Sequence, residues 1–334
     1  MIKNLEIKNF KSIKHLKLDC KRVNIFIGKP NTGKSNILES VGIFSLPYTK
    51  TLNNDMWNLK DLVRFENMTN LFYDQDIGEK IEITTDDIHF EIKFEIRYFQ
   101  GISVDNKEKE IFRFGCDYGG TMDSRKVVSG HPYLTPPFKF YRFAVIDKFL
   151  RQEFNFLLPP RGENLLQVLL INKALRKVAG DIFSEYGLKF VLKPQENKIE
   201  IQKQPEEDVA ISYPYSLVSD TLQRVVFYLT AIETNKDSVI IFEEPEAHAF
   251  PYYTKFLAER IALDKTNQYF ISTHNPYFLL SVLEKTPKDD IGIFITYFKD
   301  YQTKVRPITK KEMPEILDLD ASVFFNLDRF LEEE

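Results

Sequence analysis

Apolar and polar positions alternate from the start of the chain. Ile2, Leu5, Ile7, Phe10 and Ile13 alternate with charged and amide side chains, and Leu16 and Leu18 extend the pattern, which predicts two half-buried strands. Val23, Ile25, Phe26 and Ile27 form a denser apolar run, read as a buried strand, and Ile37, Leu38 and Val41 recur at helical spacing just after it. Residues 80–84 and 89–99 alternate as a strand pair around a turn at 85–88, whereas 100–137 are rich in Gly, Asp, Ser and Lys and read as a loop-rich insertion with one strand at 111–114. Turn signals stand at Pro47 and Asn53-Asn54. A helix is expected over 147–156, then the longest helix of the chain from a cap at Asn164 through Leu165, Leu169, Leu175, Ile182 and Phe183 to a stop at Gly187. A hairpin follows, 189–192 with 198–201, then a helix leading into an apolar strand at 237–242. Beyond it the pattern predicts a helix over 252–263 and strands at 268–272, 291–297 and 304–307.

Chemistry enters where the third predicted strand meets its helix. Gly28-Lys29-Pro30-Asn31-Thr32-Gly33-Lys34-Ser35 has the spacing G-x-x-x-x-G-K-S of a phosphate-binding loop, in the strand–loop–helix setting that such a loop needs. Gly28 and Gly33 let consecutive N–H groups turn into one concavity around an anion. The first turn of the helix adds its own unpaired N–H groups and a positive dipole end. Lys34 is expected to reach the outer phosphates of ATP, and Ser35 to complete the shell of Mg2+. Asn31, Thr32 and Asn36 are counted with these residues as nucleotide-binding positions.

The strand at 237–242 ends in Glu243-Glu244-Pro245-Glu246, two adjacent carboxylates where an α/β sheet presents its chemistry. Phosphoryl transfer calls for one carboxylate near the metal and another beside the attacking water, and successive strand-end residues can supply both. One helix and one strand later comes Thr273-His274-Asn275-Pro276.

These motifs, with Leu-x-Ile-x-Asn-Phe-Lys-Ser-Ile at 5–13, resemble the SMC/RecF/OLD-like class of ABC-type ATPases. The resemblance runs from Leu5 to Ser40 and from Ser216 to Asn275, and matches residues 45–210 only in outline. It implies a P-loop NTPase fold of class α/β, an ABC-type head with a mostly parallel core sheet, an N-terminal antiparallel β subdomain and a helical lobe. One domain over 1–334 is expected, divided into entry strands and phosphate loop (1–45), an inserted β/loop region (80–140), a helical lobe and hairpin (144–212), and a final part with the signature-like helix, carboxylate strand and histidine (213–334). By resemblance Glu243 takes the metal position, Glu244 the water-activating position and His274 the switch that senses the γ-phosphate. The class places a glycine-containing signature before the helix at 220; this chain has Ser219-Asp220-Thr221 without glycine, so Ser219 is the candidate contact to a partner subunit's ATP, with simple helix capping as the alternative. Gln75 falls where the glutamine of the head's Q-loop is sought, among several others, and Arg161 is a further possible phosphate contact.

The resemblance further implies an ATP-linked homo-oligomer, a protein effector of the kind met in bacterial anti-phage defence, and DNA as an alternative partner. The residues after His274 are too few for the Toprim nuclease domain of OLD proteins, and no heptad run predicts the long coiled coil of SMC proteins. Two function classes stay open: an ATPase working at composite sites, favoured by Glu244, and a nucleotide-gated binding module with little turnover, favoured by the degenerate signature. A RecF-like repair ATPase is a variant of the first, and a small-molecule kinase is distant because it does not need the paired acids and histidine.

Bulk properties narrow the picture slightly. The 334 residues include 29 Phe and 16 Tyr, which argues against disorder, and no apolar run approaches the roughly 20 residues needed to cross a bilayer. With no signal-peptide pattern at the start and only Cys20 and Cys116, a cytoplasmic protein without a disulfide framework is expected. Net charge is −4, yet residues 1–22 hold six Lys and one Arg against one Glu and one Asp; this is either a basic patch or a solvated strand face.

Overall fold

The computed structural model describes residues 1–49, 57–123, 137–151 and 154–331. The turn expected at Asn53-Asn54 and the acidic run at 332–334 lie outside them.

β1 (Asn4–Phe10) and β2 (Ile13–Asp19) form the predicted entry hairpin, and β3 (Val23–Gly28) is the buried strand that feeds α1 (Lys34–Gly42). β4 (Ile81–Thr85), β5 (Ile88–Glu95), β6 (Tyr98–Asp105) and β7 (Glu110–Cys116) join the hairpin in an antiparallel sheet of order β2-β1-β4-β5-β6-β7. The strand expected at 89–99 is therefore two strands. The chain turns at Ile96-Arg97, where Ile96 is 92% exposed, and much of the expected loop region is the ladder β6-β7. Polar residues misled the pattern there because one edge of this sheet faces water.

β8 (Phe138–Tyr141), a short strand buried at every residue, was not expected from the pattern. The helix expected over 147–156 is absent among its described residues. Phe149 N–H donates instead to the Asn197 carbonyl and Leu150 N–H to that of Glu163, so neighbouring segments take the bonds a helix would have used. The single long helix is likewise two, α2 (Leu165–Ile171) and α3 (Lys173–Ser184). Between them Asn172 adopts extended geometry and its side chain accepts from Leu175 N–H, starting the second helix as an N-cap.

The expected hairpin is present as β9 (Leu188–Lys193) and β10 (Lys198–Glu206), with a third, fully exposed strand β11 (Val209–Pro214). α4 (Asp220–Thr234) is the longest helix described. Then come β12 (Val239–Glu243), α5 (Pro251–Leu263), β13 (Gln268–Ser272), α6 (Pro276–Lys285), β14 (Ile291–Lys299), β15 (Gln302–Pro307) and α7 (Met313–Leu319).

The second large sheet has the order β15-β14-β3-β13-β12-β8, parallel throughout except at β14-β15. Its strands alternate between two apolar cores. Val23, Ile25 and Ile27 face the core shared with α4, α5 and α6, whereas Phe26 faces α1 and the antiparallel sheet, stacked between Phe270 and Phe294 at ring-centroid distances of 6.3 and 5.2 Å. Because β12, β13 and β3 are parallel neighbours, Glu243, Ser272 and Phe26 stand in one row at the carboxyl ends of their strands. The two motifs, some 200 residues apart in the chain, meet at that edge.

Candidate nucleotide site

Two glycines shape the loop between β3 and α1. Gly28 (φ 150°) is packed so tightly that an added Cβ would stand 2.4 Å from the Thr296 carbonyl oxygen; at Gly33 (φ 95°) it would stand 2.0 Å from Thr303 Oγ1. Both are left-handed or extreme conformations that a side chain disfavours, and neither position has room for one. Asn31 is also left-handed, and exposed. Thr32 is buried, donating from Oγ1 to the Lys29 carbonyl at 2.8 Å and lying 2.6 Å from Thr296 Oγ1. Asn36 donates from Nδ2 to Ser12 Oγ, which in turn contacts Thr303 Oγ1. The side chains of Thr32 and Asn36 thus brace the loop from behind.

Lys34 folds back over the loop and donates from Nζ to the carbonyls of Gly28 and Lys29, both at 2.9 Å. Burial pulls its ammonium down to about 8, an effect that the nearby Glu244 carboxylate opposes. Ser35 is half-buried beside it.

Glu244 follows the end of β12 in left-handed geometry (φ 46°), its N–H bound to the Ser272 carbonyl. That turn sets its carboxylate 3.4 Å from His274 Nε2. Burial, with help from the Lys34 charge, lowers the His274 pKa, and Glu244 works in the other direction. The structure therefore gathers Lys34, Glu244 and His274, three residues singled out in the sequence on separate strands.

Glu246 holds this arrangement from below. It is buried and accepts a hydrogen bond from Thr273 Oγ1, and desolvation raises its carboxyl to about 7.

Glu243 sits differently. Arg64 Nη2 donates to its Oε1 at 2.7 Å and Arg142 Nη2 lies 3.4 Å from its Oε2; both arginines also reach the fully buried carboxylate of Glu39 on α1, which Lys11 contacts as well. Sequence reasoning missed this group. Its signal was slight: Glu39 is the one carboxylate in α1, a helix so buried that it shows no polar face against which an acid would stand out.

Ser219 is exposed at the start of α4 and makes no capping bond with its side chain. Among the described residues no hydrogen bond or ion pair joins it to Lys34, Glu244 or His274. Arg161 pairs with Asp61 at 2.8 Å. Gln75 lies in a short turn, its amide oxygen 3.3 Å from Thr69 Oγ1. Part of the basic excess of residues 1–22 is met by acids elsewhere in the fold: Lys8 pairs with Glu82, Lys11 with Glu39 and Arg22 with Asp290, and Arg22 is also buried against the carbonyls at the end of α5.

The residues suit a magnesium nucleotide on one further observation. Ser272 Oγ, beside Glu243 in the strand register, is buried and without a hydrogen-bond partner among the described residues. Ser272, Glu243 and the loop's Ser35 all offer oxygen donors, the chemistry a hard divalent cation and its waters accept.

Residues 1–116 match the family described as AAA ATPase domain. An ATP/GTP phosphatase of Helicobacter pylori is 38% identical over 95 residues, covering 25% of this chain and 24% of that protein. The DNA replication and repair protein RecF of Lactobacillus gasseri is 41% identical over 63 residues, 19% of this chain and 16% of that protein. The chain thus spans about a quarter or less of the length of these curated relatives. Among solved structures, the Smc head domain with an extended coiled coil bound to the C-terminal domain of ScpA, derived from Pyrococcus furiosus, superposes with a TM-score of 0.52 at 12% identity, covering 95% of this chain and 98% of that one. That likeness is one of fold.

Proposed function

Taking the chain as an ABC-type ATPase head of the SMC/RecF-like class, we propose that it binds ATP with Mg2+ at the loop between β3 and α1 and hydrolyses it. The observation that carries this is the meeting of Lys34, Glu244 and His274 at the carboxyl ends of adjacent parallel strands, with Glu244 3.4 Å from the imidazole. Backbone N–H groups of 31–35 cradle the phosphates, and Lys34 turns from the Gly28 and Lys29 carbonyls to the outer phosphate oxygens. Ser35 and Glu243 would hold the cation, which would supply neutralising charge to the phosphates. Glu244 accepts a proton from water as the water oxygen bonds to the γ-phosphorus, and the bond from that phosphorus to the bridging oxygen breaks, leaving ADP and inorganic phosphate. His274, neutral near pH 7, donates to the γ-phosphate or the water and reports whether that group is present.

We further propose that the working unit is a dimer in which Ser219 meets the partner's nucleotide. The exposed, uncapping hydroxyl at the N-terminus of a 15-residue helix supports it. A protein effector is the favoured output; with part of the amino-terminal basic excess already paired, support for DNA is weaker. The degenerate signature favours a second reading, in which ATP holds the dimer and turnover is slow.

Light scattering on the Glu244→Gln protein separates the two readings from neither. A mass that doubles with Mg-ATP, together with loss of turnover, supports hydrolysis at a shared site. Doubling with wild-type turnover already negligible supports the nucleotide-gated module, and no retention of ATP by wild-type protein in equilibrium dialysis sinks both.

A further inference from the structure

Both oxygens of Glu243 are occupied by arginines, Oε1 by Arg64 Nη2 at 2.7 Å and Oε2 by Arg142 Nη2 at 3.4 Å. Neither arginine is held by Glu243 alone. Glu39 Oε1 accepts from Arg64 Nε at 2.9 Å, from the Arg64 backbone N–H at 3.2 Å and from Arg142 Nη2 at 2.9 Å, while Lys11 contacts its other oxygen. Arg142 is also stacked 4.6 Å over the Phe140 ring. The Glu39 side chain has no solvent exposure, whereas Arg64 is 60% exposed. Three cations thus share two carboxylates, one sealed in the protein and one at the edge of the nucleotide site.

A divalent cation has to compete with the two guanidinium groups for this carboxylate. How strongly they hold Glu243 depends on how much of their charge Glu39 already satisfies. We propose that Glu39 is a positioning residue of the nucleotide site, acting through Arg64 and Arg142 to set the availability of Glu243 to the divalent cation. This inference rests on the magnesium–nucleotide reading above. Neutralising Glu39 leaves Arg64 and Arg142 with Glu243 as their one shared carboxylate, with Lys11 beside them, which tightens their hold and repels the metal. Removing Arg64 does the opposite, since one competitor for the carboxylate is gone.

The two effects have opposite signs, which a general loss of packing does not produce. The test is Mn2+ binding to the full chain in the presence of ADP, read as free Mn2+ by electron paramagnetic resonance; Mn2+ shares the charge and oxygen preference of Mg2+. Glu39→Gln is expected to weaken Mn2+ binding roughly 10-fold or more, as supporting residues around a metal commonly do. Arg64→Gln is expected to tighten it, and in the Arg64→Gln background the effect of Glu39→Gln shrinks. ADP binding in EDTA stays unchanged in all three. If wild-type protein binds Mn-ADP and Ser35→Ala weakens that binding, but the Glu39 and Arg64 variants match wild type or simply add, the positioning role is overturned while the nucleotide reading stands. If wild-type protein binds no Mn-ADP, the nucleotide reading falls and the inference with it. Should Glu39→Gln fail to fold, Arg64→Gln decides alone: tighter Mn2+ binding supports the role, and unchanged or weaker binding overturns it.

Discussion

His274 Nε2 stands 3.4 Å from Glu244 Oε1, across the end of the parallel sheet from the loop that carries Lys34. Burial and the Lys34 charge keep this imidazole below its ordinary value of 6.5, so at pH 7 it is neutral and able to donate one N–H and accept at the other nitrogen. Turnover is expected to fall as pH drops below 6.5 and His274 becomes charged. The pH profile of kcat checks this: His274→Gln should lower kcat and remove that acid limb, and an unchanged limb assigns it to another group.

Glu244→Gln keeps the shape of the carboxylate but cannot take a proton from water. Loss of a general base typically costs 10²- to 10⁴-fold, and a fall of roughly that size in single-turnover hydrolysis is expected, with ATP retained in equilibrium dialysis. Wild-type hydrolysis in the variant removes Glu244 from the chemistry.

Lys34, held at about 8 by burial, carries its proton only part of the time above that pH. Phosphate oxygens favour the charged form, so nucleotide binding at pH 8.5 should take up protons, and affinity should decline as pH rises further. Titration calorimetry in two buffers of different ionisation enthalpy measures the uptake directly. Lys34→Ala should abolish both the uptake and the binding.

Glu246 gives a stability prediction with a definite sign. Its folded value of about 7 exceeds the ordinary 4.5, so between these values the folded protein holds a proton that the unfolded chain releases, and stability declines as pH rises through that window. Glu246→Gln keeps a neutral group at the Thr273 contact. It should therefore be close to neutral at pH 4.5 and stabilising, on the order of 1–3 kcal/mol, at pH 8. Urea melts at the two pH values compare them, and equal effects at both contradict the assignment.

Gly33→Ala combines a left-handed φ of 95° with a Cβ 2.0 Å from Thr303 Oγ1. Strain of this kind costs about 1–3 kcal/mol before any clash is counted. The variant should unfold at lower denaturant and bind nucleotide poorly, whereas Asn31→Ala, at an exposed left-handed position that already carries a Cβ, should cost less stability.

Much of this site could be read from the chain because its parts are local. The loop from Gly28 to Ser35 is contiguous, and the acids and the histidine each follow an apolar strand, so both the motif and its setting lie within short windows. The cations around Glu243 could not be read that way. Lys11, Arg64 and Arg142 come from a β-turn, an irregular segment and a loop after β8, and only the tertiary fold points them at one helix. The errors in secondary structure have a similar origin. Asn172 reads as a mere polar position within a helical stripe until its side chain is seen to start a new helix, and the backbone of 149–150 bonds to residues that periodicity does not register. Fold class survived because the motifs set strand and helix types locally, whereas strands such as β6 and β11 depend on pairing partners.

The phosphate loop is held from behind by the far end of the chain. Thr32 meets Thr296 across 264 positions, Ser12 meets Thr303 across 291, and Lys29 pairs with Asp328 across 299. During synthesis the motif therefore emerges 264 to 299 residues before the wall that gives the loop its shape. A chain cut short before β14 is expected to carry the motif without the braced loop.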